Sequence, residues 1–365
     1  MQIDHIHFYL ENAKQWQNWF KNHLEFEPIA TSINSHTHTE ILKTGQSYFL
    51  LSSPLSSASP VADYLSRHPA GVADISFGIK NIETLVNQLP PEQIIEPVRQ
   101  NKINSSILKW AKIKGWGDLT HTLIETTGPI SLDFKWSTIL NNELTLLPPS
   151  NPPNLPILGI DHVVINVGAG ELEPAIKWYE KTLKLTRQQS FNIQTKNSGL
   201  RSQVLISKEG NVKLPVNEPT TKNSQIQEFL DINRGAGVQH IALGTNNIIN
   251  TVNQIRKKGL AFIEVPHTYY SELHNQGKIN LSQQDWQEIQ LSQILIDSQP
   301  QIPEPYSQKP LEFPLLLQTF TQPIFQQPTF FFELIERRLK AEGFGEGNFR
   351  ALFEAIERQQ IKRSH

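Results

Sequence analysis

The sequence predicts an α+β protein built from two tandem copies of one unit, in which a strand and a helix precede several more strands. The segment IDHIHFYL at residues 3–10 recurs as IDHVVINV at residues 160–167. Farther along each copy, GVADISFGIKNIETLVNQL, from residue 71, recurs as GVQHIALGTNNIINTVNQI, from residue 237. A proline-rich stretch at residues 147–156 separates the copies. Two matches in the same order indicate a duplicated supersecondary unit.

The bulk composition excludes several classes of protein. The chain has 365 residues, a formal net charge of −2 and no cysteine. Its near-neutral charge gives no electrostatic case for nucleic acid or an anionic membrane. No stretch reaches the ~18 apolar residues of a membrane span, and the first residues do not resemble a signal peptide. We therefore expect a cytoplasmic protein in which any metal is held by His, Asp or Glu, because cysteine ligands are excluded.

The repeat and the prolines together predict the domain organisation. We expect a first domain at residues 1–147, a linker at 148–156 and a second domain at 157–365. The linker has no hydrophobic periodicity, and its prolines favour an extended chain. A second proline-rich patch, residues 299–314, is predicted to be a surface insertion between strands.

Helices are predicted in both copies by apolar spacing and by capping residues. Each first strand is followed by an amphipathic helix with an aromatic pair, Trp19-Phe20 in one copy and Trp178-Tyr179 in the other. In the second copy, Ser224 is predicted to cap a short helix, with Gln227 at the spacing of a capping box. The following helix positions are apolar at the spacing of one buried face: Ile226, Phe229 and Leu230.

The last predicted helix lies near the end of the chain, in GFGEGNFRALFEAIERQQ. Asn348 is predicted to be its N-cap, because asparagine side chains accept hydrogen bonds from the first free amides of a helix. The apolar stripe of this helix is formed by Phe349, Leu352, Phe353 and Ile356.

Three residues of the second copy are candidates for chemistry: His162, His240 and Glu333. Each lies in a strand-like apolar run, and Glu333 is surrounded by phenylalanines in TFFFELIERR. An ionised carboxylate in such a strand is costly unless it is paired or bound to a metal. Two neutral imidazoles and one carboxylate suit a divalent first-row metal, and this is the donor set of non-heme Fe(II) oxygenases.

A simpler interpretation of the same residues stays open at this point. A histidine in a strand is more often a hydrogen-bonded core residue than a metal ligand, and Glu333 could pair with Arg337 or Arg338. Other catalytic classes find less support, because the sequence has no G-x-S-x-G elbow and no phosphate-binding P-loop.

Seven motifs in a fixed order connect the second copy with a known family. They are IDHVVINV, PVNEP with SQIQEFL, GAGVQHIAL, PHTYY, LLLQTFTQP, TFFFELIERR and GFGEGNFRALFEAIE. In this order they resemble the 4-hydroxyphenylpyruvate dioxygenase family over nearly all of residues 157–357. The first copy resembles it loosely, in GVADISF and WGDLTHTLIE. The resemblance implies two tandem vicinal oxygen chelate domains, each of paired βαβββ modules in a curved, barrel-like sheet. It also implies a catalytic second domain with a C-terminal gating helix.

The resemblance also implies roles for individual residues. His162, His240 and Glu333 match the ligands of an Fe(II) cofactor. Catalytic polar side chains around the substrate would be Ser202, Asn217, Gln225, Gln239 and Gln318. The substrate-binding residues would be Phe320, Phe331, Phe344, Asn348 and Phe349.

The activity implied is the conversion of 4-hydroxyphenylpyruvate and O2 to homogentisate and CO2, in tyrosine breakdown or in plastoquinone and tocopherol supply. Family members usually form homodimers or homotetramers, and neither nucleic acid nor a membrane is expected as a partner. Three alternatives remain. The chain could be a 4-hydroxymandelate synthase, an extradiol ring-cleaving dioxygenase, or a non-catalytic binding protein built from the same modules.

Two departures from the family pattern carry further expectations. Arg201, beside Ser202, is unusual, and one interpretation points it towards the pocket. In the first copy, His5, Asp74 and Asp133 are the candidate counterparts of the three ligands. Asp74 in place of a histidine argues against a second metal site, so the first domain is predicted to be structural.

Overall fold

Two curled mixed sheets with helices packed on them form the protein. The computed structural model describes residues 1–149, 153–195, 198–276, 279, 281–298 and 314–363. Within these residues, the first half forms a nine-stranded sheet and the second half an eight-stranded sheet.

The first sheet and its helices occupy the first 146 residues. Its strands are β1 (Gln2–Tyr9), β2 (Glu27–Ile33), β3 (Thr37–Thr44), β4 (Ser47–Pro54), β5 (Gly71–Gly78), β6 (Ile94–Ile103), β7 (Ser106–Lys114), β8 (Thr120–Thr127) and β9 (Thr145–Leu146). Its helices are α1 (Ala13–Leu24), α2 (Pro60–Arg67), α3 (Ile82–Val86) and α4 (Leu132–Leu140), and a 3₁₀ turn spans Pro91–Gln93.

The second sheet begins after the proline-rich stretch. Its strands are β10 (Ile157–Asn166), β11 (Thr186–Gln194), β12 (Gly199–Ile206), β13 (Lys213–Pro219), β14 (Gly237–Thr245), β15 (Leu295–Ser298), β16 (Leu315–Phe320) and β17 (Phe331–Arg338). Its helices are α5 (Leu172–Leu183), α6 (Gln225–Asn233), α7 (Ile248–Lys257), α8 (His267–Gln276), α9 (Gln283–Leu291) and α10 (Glu346–Arg363).

Strand pairing confirms the predicted repeat and fold class. The strand orders are β6-β7-β8-β5-β1-β4-β3-β2-β9 and β11-β12-β13-β10-β14-β17-β16-β15. In each sheet two βαβββ modules meet through an antiparallel pair of first strands, β1 with β5 and β10 with β14. Each first strand also pairs in parallel with the last strand of its own module, as β1 does with β4 and β14 with β17.

Hydrogen bonding at the helix starts separates the correct capping predictions from the wrong ones. Ser224 does cap α6, since its Oγ accepts from the backbone N of Ile226 at 3.2 Å. The predicted capping box is wrong, because Gln227 donates forward to Asp231 at 2.8 Å instead of back to the cap. The predicted cap at Asn348 is also wrong: α10 begins two residues earlier.

A cluster of phenylalanines joins the two halves. Phe8 packs edge-on against Phe330 at 5.1 Å between ring centroids. Phe20 and Phe26 approach Phe332 at 5.8 and 6.3 Å. All five side chains are buried, and aromatic rings dominate core energetics through the large apolar area that each removes from water. The two sheets therefore share one continuous core.

The described residues leave the predicted domain boundaries untested. Within the predicted linker, the backbone N atoms of Asn154 and Leu155 donate to Glu25 Oε2 at 2.6 and 3.0 Å, which anchors the approach to β10. Residues 150–152 of that linker and residues 299–313 of the proline-rich patch lie outside the described residues. No helix among the described residues is long and apolar enough to cross a membrane.

Of the three candidate ligand counterparts in the first half, only His5 is the same amino acid as its counterpart in the second half. Asp74 is buried and accepts hydrogen bonds from Thr120 Oγ1 at 2.6 Å and Thr122 Oγ1 at 3.0 Å. Lys112 Nζ lies 3.9 Å from Asp74, so an ammonium neutralises this carboxylate. Asp133 is exposed on α4, and its assignment as a ligand counterpart is wrong. Thr122 takes the corresponding place on β8, where a hydroxyl satisfies Asp74 without adding charge.

Acid should selectively remove the contribution of Asp4 to stability. Burial alone would raise the pKa of Asp4, but His5 and Lys135 outweigh it and lower this pKa to about 2. Because the folded-state pKa lies below the unfolded value, the interaction stabilises the fold above about pH 4 and is lost as the pH falls through about 2. We expect Asp4→Asn to lower the unfolding free energy by about 2 kcal/mol at pH 6 and by under about 1 kcal/mol at pH 2.5.

Urea unfolding of both proteins at the two pH values measures this difference. The same gap at pH 6 and pH 2.5 would show that the ionised Asp4 carboxylate does not stabilise the fold.

Candidate metal centre

Three neighbouring strands of the second sheet bring His162, His240 and Glu333 together. These residues lie on β10, β14 and β17, and one ligand atom of each lies within 4.8 Å of the others. Glu333 Oε2 is 3.1 Å from His162 Nε2 and 3.4 Å from His240 Nε2. All three side chains are at least 96 % buried, with exposures of 2 %, 4 % and 1 % in the order named.

Strand register explains why these residues meet. His162 on β10 and Glu333 on β17 both pair with Ala242 on the central strand β14. His240 precedes Ala242 by two positions, so its side chain points to the same face. The fully buried Ala242 is small and leaves the space between the three larger side chains open. A sheet row of large, small and large residues therefore creates the centre.

Hydrogen bonds set the orientation of both imidazoles. His162 Nδ1 donates to Asp161 Oδ1 at 3.0 Å, and His240 Nδ1 donates to Gln239 Oε1 at 3.3 Å. With each Nδ1 occupied in this way, Nε2 is the nitrogen that faces Glu333. Metal-binding histidines almost always use their other nitrogen in such a bond, which fixes the tautomer and the ring direction.

The charges around the centre favour an ionised carboxylate. Burial would raise the pKa of Glu333, but the two imidazoles outweigh it and lower this pKa to about 2. Burial would lower the pKa of His162, yet Glu333 and Asp161 raise it above its usual value. For His240, burial prevails and lowers the pKa. A divalent cation would neutralise the buried carboxylate and use both imidazole lone pairs.

Glu333 is not paired with Arg337 or Arg338, the two arginines that could have been its partners. Arg337 instead makes two hydrogen bonds to Asp161, at 2.7 and 2.8 Å, and Arg338 donates to Glu336 at 2.7 Å. Burial would raise the pKa of Asp161, but Arg337 and His162 hold it well below its usual value. Glu333 is therefore not explained by an ion pair with an arginine, and the three donors fit a divalent metal better.

A cavity opens onto the ligand atoms, with about 370 Å³ of empty space that includes its mouth to solvent. Besides the three ligands, its lining contains six of the residues predicted to surround the substrate: Ser202, Asn217, Gln318, Phe320, Phe344 and Phe349. Phe344 packs edge-on against His162 at 5.0 Å, and Phe349 packs edge-on against Phe191 at 5.2 Å. The cavity is thus polar near the three ligand atoms and aromatic at its walls.

Unsatisfied polar atoms at this site indicate a polar ligand. In the part of the chain that the structure describes, four buried atoms near the cavity have no hydrogen-bond partner: Ser202 Oγ, Asn217 Oδ1, Gln225 Oε1 and Asn166 Nδ2. Buried polar groups are normally hydrogen-bonded, and each exception calls for an explanation. A bound molecule with hydroxyl or carbonyl groups would satisfy the first two, because Ser202 and Asn217 line the cavity.

The other four predicted site residues lie outside the cavity lining. Phe331 stacks on His240 at 4.7 Å, and Gln239 contacts the same imidazole. Gln225 donates weakly to the carbonyl of Phe353 at 3.4 Å. The fourth is Asn348, which supports the lining instead of joining it.

Asn348 lies behind Gln318 and orients its amide. Gln318 Nε2 donates to Glu333 Oε1 at 2.8 Å, and Asn348 Nδ2 donates to Gln318 Oε1 at the same distance. The hydroxyl of Tyr269 on α8 donates to Asn348 Oδ1 at 3.1 Å. Because each amide is held from behind, Oε1 of Glu333 is occupied by Gln318, and Oε2 is left facing the two imidazoles.

Arg201 does not enter the pocket, and the inward interpretation is wrong. Its side chain is 57 % exposed and forms an ion pair with the buried Glu218. Neighbouring residues of a strand point to opposite faces, so the inward direction of Ser202 sends Arg201 outward. The charge of the pocket is therefore not altered by this arginine.

Four lining residues were missed from the sequence: Val164, Phe191, Pro215 and Leu352. Val164 follows His162 by two strand positions, and Leu352 follows Phe349 by three helix positions, so simple periodicity could have found both. Phe191 and Pro215 carry no comparable local signal.

The fold and the centre together define a non-heme dioxygenase of the Glyoxalase/Bleomycin resistance protein/Dioxygenase superfamily, whose family model matches residues 159–275. A 4-hydroxyphenylpyruvate dioxygenase of Yarrowia lipolytica is 36 % identical, with 99 % of this chain and 93 % of that protein covered. The corresponding Dictyostelium discoideum protein is 35 % identical, with 100 % and 99 % covered. The chain belongs to the 4-hydroxyphenylpyruvate dioxygenase family.

A solved structure supports the same fold. A mutant of 4-hydroxymandelate synthase from Streptomyces coelicolor superposes with a TM-score of 0.83 at 24 % identity, and 98 % of each chain is covered. At this identity the likeness concerns the fold alone. It therefore does not distinguish the reaction of a 4-hydroxymandelate synthase from that of a 4-hydroxyphenylpyruvate dioxygenase.

Proposed function

We propose that the protein converts 4-hydroxyphenylpyruvate and O2 into homogentisate and CO2, with Fe(II) held by His162, His240 and Glu333. One observation carries the proposal. Three buried ligand residues converge at a cavity that combines phenylalanine walls with unsatisfied hydroxyl and amide atoms. The names of the relatives from Yarrowia and Dictyostelium support the same substrate.

The donor set suits the metal chemistry that this reaction requires. When bound, Fe(II) supplies open coordination positions for a 2-oxo acid and O2 and the redox capacity for oxidative decarboxylation. Glu333 contributes one negative charge, and the histidines contribute none when neutral. The carboxylate of a 2-oxo acid therefore completes the neutralisation of a divalent ion in a buried site.

The side chains around the cavity would hold the substrate rather than react with it. Phe320, Phe344 and Phe349 offer apolar surfaces to an aromatic ring. Asn217 Oδ1 can accept a hydrogen bond from a phenol, and Ser202 Oγ can donate or accept one. Fixing the ring while excluding water lowers the barrier through orientation, without adding charge to the site.

The cellular setting of this activity is part of the proposal. We expect a cytoplasmic enzyme that assembles as a homodimer or homotetramer and serves tyrosine breakdown or quinone and tocopherol supply. The division into a structural first domain and a catalytic second domain belongs to the same proposal. The cluster at Asp74 and Lys112 supports it, because there an ammonium faces the buried carboxylate.

The product of 4-hydroxyphenylpyruvate turnover tests the proposal directly. Fe(II)-loaded protein is incubated with 4-hydroxyphenylpyruvate and O2, and the product is compared by chromatography with homogentisate and 4-hydroxymandelate. We expect homogentisate, with one CO2 released per molecule. 4-Hydroxymandelate would replace the proposed reaction with that of the synthase. No product from protein with bound Fe(II) would support a non-catalytic role, and cleavage of a catechol without a 2-oxo acid would indicate an extradiol enzyme.

A further inference from the structure

The guanidinium of Arg337 lies behind the metal centre and connects two separate parts of it. Its Nε and Nη2 donate to the two carboxylate oxygens of Asp161 at 2.8 and 2.7 Å. Its Nη1 donates to the backbone carbonyls of Ala341 and Gly343 at 3.1 and 2.8 Å. The side chain is 18 % exposed and does not line the cavity.

At one end of this connection, Arg337 supports a metal ligand. Asp161 Oδ1 accepts from both Arg337 and His162 Nδ1, so the arginine holds the carboxylate that holds the imidazole. A bidentate pair between guanidinium and carboxylate restricts the rotation of both groups. The direction of His162 Nε2 towards Glu333 therefore depends on Arg337.

At the other end, Arg337 supports the turn 339–345 between β17 and α10. Leu339 and Lys340 have positive φ angles of 52° and 57°, a region that side chains other than glycine rarely adopt. Such a backbone persists only when its surroundings hold it in place. The turn carries Phe344, whose ring packs on His162 at 5.0 Å. Arg337 thus reaches the same imidazole by two routes, through Asp161 and through Phe344.

In the first half, an aspartate and a lysine orient the corresponding histidine without an arginine. There His5 Nδ1 donates to Asp4 at 2.9 Å, and Lys135 Nζ donates to both Asp4 oxygens at 2.8 Å. A lysine is therefore a sufficient cation for an aspartate–histidine pair. In the second half Lys213 also contacts Asp161, at 3.3 Å. Arg337 differs from a lysine because it has further N–H donors in a rigid fork. These reach the turn while the guanidinium also pairs with Asp161, which an ammonium on a flexible stem would not do.

We propose that Arg337 is a positioning residue that couples the geometry of the metal centre to the turn 339–345 and hence to Phe344 and the start of α10. Metal binding draws His162 into place and, through Asp161 and Arg337, fixes the turn that closes one wall of the cavity. Coupling between two sites is reciprocal, so a turn held by Arg337 also strengthens metal binding. The inference rests on the metal centre of the proposed function but not on its substrate.

Binding of Co(II), a spectroscopic stand-in for Fe(II), and hydrogen exchange of the amides of 341–349 test this coupling. In the natural protein, Co(II) should slow exchange in this segment. Arg337→Gln should weaken Co(II) binding by about 10- to 100-fold, as loss of a partner behind a metal ligand typically does. It should also abolish the slowing of exchange. Arg337→Lys should keep Co(II) affinity within about threefold, since an ammonium can pair with Asp161, and still lose the slowing.

The neighbouring Arg338→Gln is the matched control, because Arg338 pairs only with Glu336 among the described contacts of its side chain. It should match the natural protein in both measurements. Co(II)-dependent slowing retained in Arg337→Lys would overturn the coupling, and unchanged affinity in Arg337→Gln would overturn the positioning role. If Arg337→Gln fails to fold, hydrogen exchange in Arg337→Lys alone decides whether the coupling exists. No Co(II) binding by the natural protein would instead refute the metal centre of the proposed function.

Discussion

Replacement of Glu333 by alanine is expected to lower kcat/KM for 4-hydroxyphenylpyruvate by about 10³-fold or more. Metal-ion catalysis contributes several kcal/mol, and each 1.36 kcal/mol is a factor of ten. Glu333 is the only carboxylate of the three-ligand group, so its loss removes the anionic ligand and leaves the buried cation with excess charge. Steady-state kinetics of the Fe(II)-loaded proteins measure the effect.

Thermal unfolding gives a second readout of the same variant. A metal at 100 times its Kd stabilises the folded state by about 2.7 kcal/mol. The natural protein should therefore gain in Tm when metal is added, and Glu333→Ala should gain little. Glu173→Ala is the control, because Glu173 is an exposed glutamate on α5 that pairs with Arg187 and does not line the cavity. A metal-dependent rise in Tm that survives in Glu333→Ala would exclude Glu333 as a ligand.

Replacement of Phe330 by alanine should produce a large loss of stability. The ring is 1 % exposed and packs against Phe8 of the first half at 5.1 Å and against Phe332 at 5.1 Å. Truncation of a buried phenylalanine typically costs about 3–5 kcal/mol, since apolar burial is lost and a cavity remains. We expect a decrease of this size in the unfolding free energy from urea denaturation.

A matched truncation at the surface should have little effect. Leu291 is 79 % exposed at the end of α9, and Leu291→Ala should change the unfolding free energy by less than about 0.5 kcal/mol. If Phe330→Ala costs less than about 1 kcal/mol, the phenylalanine cluster would not be the shared core of the two halves.

Local signals predicted the features that depend on neighbouring residues. Alternation in β10, β14 and β17 placed each candidate ligand in a buried strand, and an N-cap preference placed Ser224 correctly. The cap at Asn348 failed although its residue type was suitable. There the amide is drawn into a tertiary network with Gln318 and Tyr269, which competes with the helix terminus for the same hydrogen bonds.

Positions that depend on distant partners were the ones predicted poorly. Asp133 matched a counterpart of Glu333 by residue type, but the first half uses Thr122 on β8 instead. Lys112, which neutralises Asp74, comes from a different strand and leaves no local pattern. The direction of Arg201 followed from the inward position of its neighbour Ser202, which the sequence alone did not establish.

The sequence by itself determined that this protein is a duplicated α+β chain with two histidines and one glutamate in buried strands, because hydrophobic periodicity and internal repeats are properties of consecutive residues. Only the tertiary structure decided that these three side chains meet, through the shared pairing of His162 and Glu333 with Ala242. It also decided that Arg337 serves Asp161 instead of Glu333. Strand order and register join residues far apart in the chain, so no local pattern contains them.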